Sequence, residues 1–157
     1  MGGAGSSPQP KRVEAGLEVL CLRKGDRPFG ELLALVDDDL QGLLAEVEEI
    51  ERKHRHFEEN GAVWPPALQE TMEERFSRYH TTKRECARLE EILTRIQLRL
   101  DGANLPRVLN EDGEEVSDPQ ARVQRSSAIR QAEDLIGKLQ KQREAVLQVE
   151  GQLESKL

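Results

Sequence analysis

The feature that most constrains this chain is a heptad repeat, in which apolar residues recur at alternating steps of four and three. Between residues 29 and 57, eight of the nine positions with this spacing are apolar. Between residues 68 and 100, eight of ten such positions are apolar. This spacing puts the apolar residues on one narrow face of an α-helix and leaves the other faces polar. The repeat therefore predicts two long amphipathic helices.

Turn-forming residues mark the ends of both predicted helices. Pro28 suits the first helical position, and Asp26 is a candidate N-cap. Asn60-Gly61 ends the first helix, and Asp101-Gly102 ends the second. Because the connection between the helices is short, we expect an antiparallel coiled-coil hairpin over residues 28–101.

The charge pattern favours the same antiparallel arrangement. If the chain folds back near residue 62, the acidic run 37–39 lies opposite Arg88. The basic run 52–55 then lies opposite the acidic residues 70–74. Exposed ion pairs contribute only ~0.2–1 kcal/mol each, so they influence register and orientation more than stability.

An acidic linker is predicted over residues 102–118, between the hairpin and a third helix. It contains the turn-forming pair Asp112-Gly113 and a few apolar residues near it. Those apolar residues are Val108, Leu109 and Val116. They could form a small docked loop or a two-stranded finger, but we expect an irregular segment.

The third helix is predicted over residues 119–157, with Asp118 or Ser117 as its N-cap. Its heptad positions are weaker than those of the first two helices, since three of ten are alanine and two are polar. Apolar residues beside these positions broaden the stripe. Such a stripe suits packing across a hairpin groove or against a partner helix.

The predicted fold is therefore all-α: an elongated helical hairpin followed by a long C-terminal helix. Residues 1–10 are rich in Gly, Ser and Pro and should form a flexible tail. Residues 11–27 are expected to be a short helix or irregular. In outline, three helices of these lengths resemble a spectrin-type three-helix unit, a likeness of architecture alone.

The composition argues against several functional classes. Charged residues make up 34% of the chain, aromatic residues 3%, and the net charge is −7. An acidic chain is poorly suited to bind nucleic acid, where affinity comes from neutralising phosphates. Cys21 and Cys86 are expected to be reduced thiols, and the absence of a long apolar run predicts a soluble cytoplasmic protein.

Catalytic and metal-binding patterns are also lacking. A zinc site needs three or four converging ligands, and His54, His56 and His80 are not spaced to converge. The sequence contains no phosphate-binding glycine loop and no nucleophile elbow. We therefore predict a non-enzymatic protein with no metal and no cofactor.

The predicted partner-binding residues combine one aromatic residue with three aliphatic ones. They are Trp64, Ile129, Ile136 and Leu147. Trp64 lies in the predicted hairpin tip, and tryptophan is enriched in interaction hot spots, although it could also cap the end of the coiled coil. The other three residues lie beside the heptad positions of the third helix, where a further helix could pack.

Two short motifs indicate possible modification sites. Gly2 with Ser6 matches the N-myristoylation pattern M-G-x-x-x-[ST], which a flexible Gly/Ser tail can also match by composition alone. Ser126 follows Arg122 and Arg125 in a pattern typical of basophilic kinase sites.

These observations predict an assembly or adaptor subunit that joins a larger coiled-coil complex, with another coiled-coil protein or a second copy as its partner. Cytoskeletal, centrosomal or ciliary complexes rank first, because coiled coils are common in them. The alternatives are a peripheral membrane adaptor anchored through Gly2, and a protein-binding factor in a nuclear complex.

Overall fold

The computed structural model describes residues 19–53 and 72–154, and its architecture is all-α, as predicted. Four helices and one small pair of strands make up the described part of the chain. In chain order they are α1 (Leu20–Arg23), α2 (Phe29–Lys53), α3 (Met72–Asp101), β1 (Arg107–Leu109), β2 (Glu115–Ser117) and α4 (Pro119–Glu154).

Local backbone chemistry explains where the long helices begin and end. The Pro28 carbonyl accepts the first helical hydrogen bond of α2 from the Leu32 amide, at 3.0 Å. At the start of α4, the Asp118 side chain accepts a hydrogen bond from the Gln120 amide at 3.0 Å, which confirms Asp118 as the N-cap. At the end of α3, the Gly102 amide bonds to a carbonyl of the last turn.

The heptad positions of the three long helices form one shared core. The buried residues of α2 are Phe29, Leu32, Val36, Leu40, Leu43, Val47 and Ile50. Those described in α3 are Tyr79, Cys86, Leu89, Ile92, Leu93, Ile96 and Leu100. Those described in α4 are Ala121, Ala128, Ala132, Leu135, Leu139, Gln142 and Val146. Within the described residues most of the predicted heptad positions are buried. The differences are that Leu32 is more deeply buried than Leu33, that Thr82 and Arg125 are only half-buried, and that Ile92 beside the predicted stripe is also buried.

The most extensive packing in the bundle joins α3 and α4, which are antiparallel. Three polar contacts join them along their length: Gln97 with Ile129, Glu90 with Arg143, and Lys83 with Glu150. The last two contacts lie one heptad apart on both helices, so this pair keeps the heptad register. Ala128 and Ala132 of α4 are buried in the shared core.

The predicted α2–α3 hairpin is not confirmed as the central unit of the fold, because α2 has more contact with α4 than with α3. The Arg88 guanidinium lies 3.2 Å from the Glu46 carboxylate. The sequence predicted the acidic run 37–39 as the partner of Arg88, and Glu46 lies one heptad beyond that run. A slip of seven residues leaves every heptad position in place, so the apolar pattern alone does not distinguish the two registers.

The expectation of an irregular linker is wrong, because β1 and β2 form an antiparallel two-stranded finger in which Val108 pairs with Val116. Asn110 makes the turn, since its side-chain oxygen accepts hydrogen bonds from the Asp112 and Glu114 amides. Gly113 has a φ of 78°, a backbone conformation that favours glycine. The side chain–backbone bonds of Asn110 overcome the low strand propensity of this acidic segment.

Candidate functional site

The first polar cluster in the bundle attaches the segment before α2 to the long helices. The carboxylate of Asp39 accepts hydrogen bonds from two backbone amides of α1, Leu20 at 3.1 Å and Cys21 at 2.8 Å. These amides belong to the first turn of α1 and have no partner within that helix. A negative charge at this end of a helix also interacts favourably with its dipole.

Arg99 contacts the same segment from α3. Its guanidinium donates hydrogen bonds to the carbonyl of Cys21 at 3.2 Å and to that of Gly25 at 2.9 Å. It also lies 3.7 Å from the carboxylate of Asp26, the residue predicted as the N-cap of α2. Asp39 and Arg99 therefore hold the segment through main-chain groups, and the side chains of Val19 and Cys21 attach it to the core.

Both thiols are free and fully buried in the core. Burial raises the pKa of Cys21 strongly, and the neighbouring Asp39 raises it further. Burial also raises the pKa of Cys86 to about 11, and the negative charge of Glu90 contributes. A thiol is nucleophilic as its thiolate, so neither cysteine is suited to covalent catalysis.

A second polar cluster lies between α3 and α4. Burial raises the pKa of Glu90, and the positive charge of Arg143, 3.2 Å away, opposes this shift. One heptad further along, the Lys83 ammonium lies 2.6 Å from the Glu150 carboxylate. The signs alternate between the two pairs, since the acid is on α3 in one and on α4 in the other. This arrangement favours the observed register of the two helices.

Large apolar side chains are exposed at the end of the bundle where the finger projects. Leu98 of α3 is 66% exposed, Leu109 of the finger 70%, and Val123 of α4 68%. Isolated exposed apolar residues are common on protein surfaces, and these three lie on elements that follow one another along the chain, α3, β1 and α4. They are the strongest candidates for partner contact in the described part of the chain.

The predicted partner-binding residues of the third helix differ in their environments. Ile129 and Ile136 are half-buried and pack against the core cluster, so much of their apolar surface is already covered within the chain. Leu147 is 50% exposed. Trp64 lies outside the described residues. Val123, which sequence reasoning did not single out, is more exposed than any of these three α4 residues.

The other candidate residues are dispersed. Ser126 is exposed on α4 between the exposed Arg122 and Arg130, and its predicted phosphorylation stays a prediction. His80 is exposed on α3, whereas Gly2, His54 and His56 lie outside the described residues. Among residues 19–53 and 72–154, no group of three or more His, Cys, Asp or Glu side chains comes together in a way that could hold a metal ion.

Comparisons with known protein families, with curated proteins and with solved structures give no match to this chain. Within the described segments, no helix has both the length and the apolar character needed to cross a bilayer.

Proposed function

We propose that this chain is a non-enzymatic assembly or adaptor subunit that joins a larger complex through the finger end of its three-helix bundle. The observation that carries the proposal is the exposure of Leu98, Leu109 and Val123, each about two-thirds accessible. Their elements are held by a core that the three long helices form together with the segment before α2, and none of these three side chains belongs to it.

The three residues are also well placed for binding another protein. Leu109 lies on the projecting finger, while Leu98 and Val123 lie on long helices, which are rigid supports for a contact surface. Arg122 and Arg125, close to Val123 on α4, line a groove at the base of the finger, and arginine is enriched in protein interfaces.

The test is affinity purification of the full chain from cells, with the copurifying proteins quantified by stoichiometry. The double variant Leu109→Asp with Val123→Asp should lose the stoichiometric partners of the wild type. Truncating or charging hot-spot residues typically costs more than 2 kcal/mol of binding, or about a thirtyfold loss of affinity.

The control variant is Gln124→Asp, which adds a charge at the exposed neighbour of Val123 on the same helix. It should keep all partners. If the double variant copurifies with the same proteins at unchanged stoichiometry, the finger end is not the binding surface. If the wild type has no stoichiometric partner, the assembly role itself is wrong.

The cellular setting is proposed on the frequency of coiled coils in cytoskeletal, centrosomal and ciliary complexes, and imaging of the tagged chain tests it.

The membrane-surface alternative rests on the Gly2 motif. Labelling with a myristate analogue, with Gly2→Ala as the control, separates it from the assembly role, because only the membrane adaptor requires incorporation of the label. Recovery in chromatin fractions would favour the nuclear alternative.

A further inference from the structure

A surface groove runs between α2 and α4, away from the finger end. Leu40 and Leu135 at its base are buried, and Leu44 at its edge is 36% exposed. The two helices are parallel here, because each is antiparallel to α3. Two contacts show that α2 is antiparallel to α3. Arg99, near the end of α3, contacts Gly25 just before α2, whereas Arg88, earlier in α3, contacts Glu46 later in α2.

The charges that line this groove are separated into two ends. Asp37 and Asp134 lie toward the N-terminal ends of their helices, and Lys138 and Lys141 lie toward the C-terminal end. All four side chains are exposed. At a rise of ~1.5 Å per residue, Asp134 and Lys141 are about 10 Å apart along α4. One end of the groove is thus acidic and the other basic.

A glycine lies midway between these charged ends. Gly137 is in the interior of α4, where glycine is less favourable than alanine. A Cβ atom at this position would meet nothing within 4 Å, so no contact in the described chain requires its absence. A glycine on a helix surface does let another backbone approach closely.

We infer that a second copy of this chain occupies the groove, in a symmetric dimer whose two-fold axis passes near Gly137, perpendicular to the groove. Such an axis turns the second copy end for end, so the acidic end of each groove faces the basic end of the other. An acidic–basic pattern of this kind is self-complementary, as an isologous interface must be. Leu44 of each copy is then covered, and the glycines allow the two α4 helices to cross closely.

Sedimentation of the full chain at concentrations up to about 100 µM, a range that detects weak association, should show a monomer–dimer equilibrium. The variant with Lys138→Glu and Lys141→Glu has an entirely acidic groove and should dissociate. The variant with Asp37→Lys and Asp134→Lys has an entirely basic groove and should also dissociate. The loss should be about tenfold to a hundredfold in Kd, from several exposed charge pairs.

Mixing the two charge variants should restore association as a heterodimer, because an acidic groove then faces a basic one. The chain carrying all four reversals should form a homodimer again, since its pattern is reversed but still self-complementary. A wild type that is monomeric throughout overturns the inference. So does a dimer that the double charge reversals leave intact.

Gly137→Ala supplies a second test, in which two readouts should change in opposite directions. The variant should raise the melting temperature of the monomer by about 2–4 °C, because alanine favours the helix. It should also weaken the dimer by about tenfold or more, because the added methyl group separates the crossing helices. The control is Gly42→Ala in α2, which also meets open space. It should stabilise the monomer and leave the dimer unchanged.

Equal effects of both glycine variants on the dimer would contradict the placement of the axis.

The groove is separate from the Leu109 and Val123 surface, so the outcome at one site does not decide the outcome at the other. A chain that dimerises but loses no partner with the finger variants would retain this inference and lose the proposed function.

Discussion

At the scale of single residues, the charged side chains of the two polar clusters differ in what they bind. Asp39 and Arg99 bind main-chain groups of the segment before α2. Glu90 and Arg143 instead pair with each other inside a helix interface. The first arrangement holds a segment of the chain against the bundle, and the second joins two long helices.

Asp39→Ala should release α1 from the bundle, because two backbone amides lose a charged acceptor. Hydrogen bonds to charged groups contribute roughly 1.5–3 kcal/mol, so local opening should increase by tenfold or more. The measurement is the rate at which a maleimide modifies Cys21, followed by mass spectrometry of the peptide. Asp38→Ala changes an exposed neighbour and should leave the rate near that of the wild type. An unchanged rate in Asp39→Ala would show that α1 is held by its apolar contacts alone.

Glu90 should make the folded state less stable as pH rises. Its pKa is raised in the folded chain, mainly by burial, so the folded state holds this proton more tightly than the unfolded state. The stabilising contribution is present below the pKa of the unfolded glutamate and is lost as pH rises through the raised value. Relative to Glu90→Gln, the wild type should therefore lose free energy of unfolding as pH rises above 4.5, the ordinary pKa of a glutamate.

Denaturant titrations at several pH values measure this difference. Arg143→Gln is the informative companion variant, because Arg143 opposes the upward shift of the Glu90 pKa. Its removal should move the pH-dependent loss to higher pH. A difference between the wild type and Glu90→Gln that does not vary with pH would mean that Glu90 is solvated in the folded chain.

At the scale of elements, the pairing of α3 with α4 is the best specified. Their heptad residues are buried together, and their ion pairs alternate in sign at one-heptad intervals. Buried alanines on α4 are smaller than the buried residues of α2. The finger follows from local turn chemistry at Asn110 and Gly113, and it projects from the end of this pair.

Reversing the Lys83–Glu150 pair should reveal its role in register. Lys83→Glu alone puts two carboxylates together and should lower the free energy of unfolding by about 1 kcal/mol. The combination of Lys83→Glu with Glu150→Lys should recover most of the loss, because the opposite charges are restored. Urea denaturation of the four chains of this double-mutant cycle gives the coupling. A coupling near zero would mean that solvent screens the pair and that apolar packing alone sets the register.

At the scale of the whole molecule, three helices share one core, and the order of packing differs from the simplest hairpin. The helix α4 contacts both of the others and so completes the bundle. In the part of the chain that the structure describes, we propose two surfaces for binding other molecules, the finger end and the groove between α2 and α4. They lie on different parts of the bundle, so one chain could use both at once.

Crosslinking can test the α2–α3 register directly. Cysteines introduced at Glu46 and Arg88 should be joined within one chain by a short bismaleimide in dilute solution, because these side chains lie 3.2 Å apart. Cysteines at Asp38 and Arg88, which match the register expected from the charge runs, should be joined far less. The wild type, with both thiols buried, is the control. Preferential joining of the second pair would restore the sequence-based register.

The amino-acid sequence by itself determined the all-α class and the buried faces of the described long helices, and it narrowed the N-cap of the last helix to Asp118 or Ser117. Each of these depends on spacing along one helix or on a side chain bonding to its own neighbouring backbone, and both are local. The sequence also allowed the two-stranded finger as an alternative. The finger forms because the Asn110 side chain holds the turn by accepting hydrogen bonds from two backbone amides.

Only the tertiary structure decided which helices pair, in which register, and which apolar side chains stay exposed. Heptad patterns are unchanged by a slip of seven residues, so Arg88 could face the acidic run 37–39 or Glu46 with the same stripe buried. The choice depends on how whole helices pack against one another in the completed bundle. The same choice covered Ile129 and Ile136 and left Val123 exposed, because burial is a property of the completed bundle.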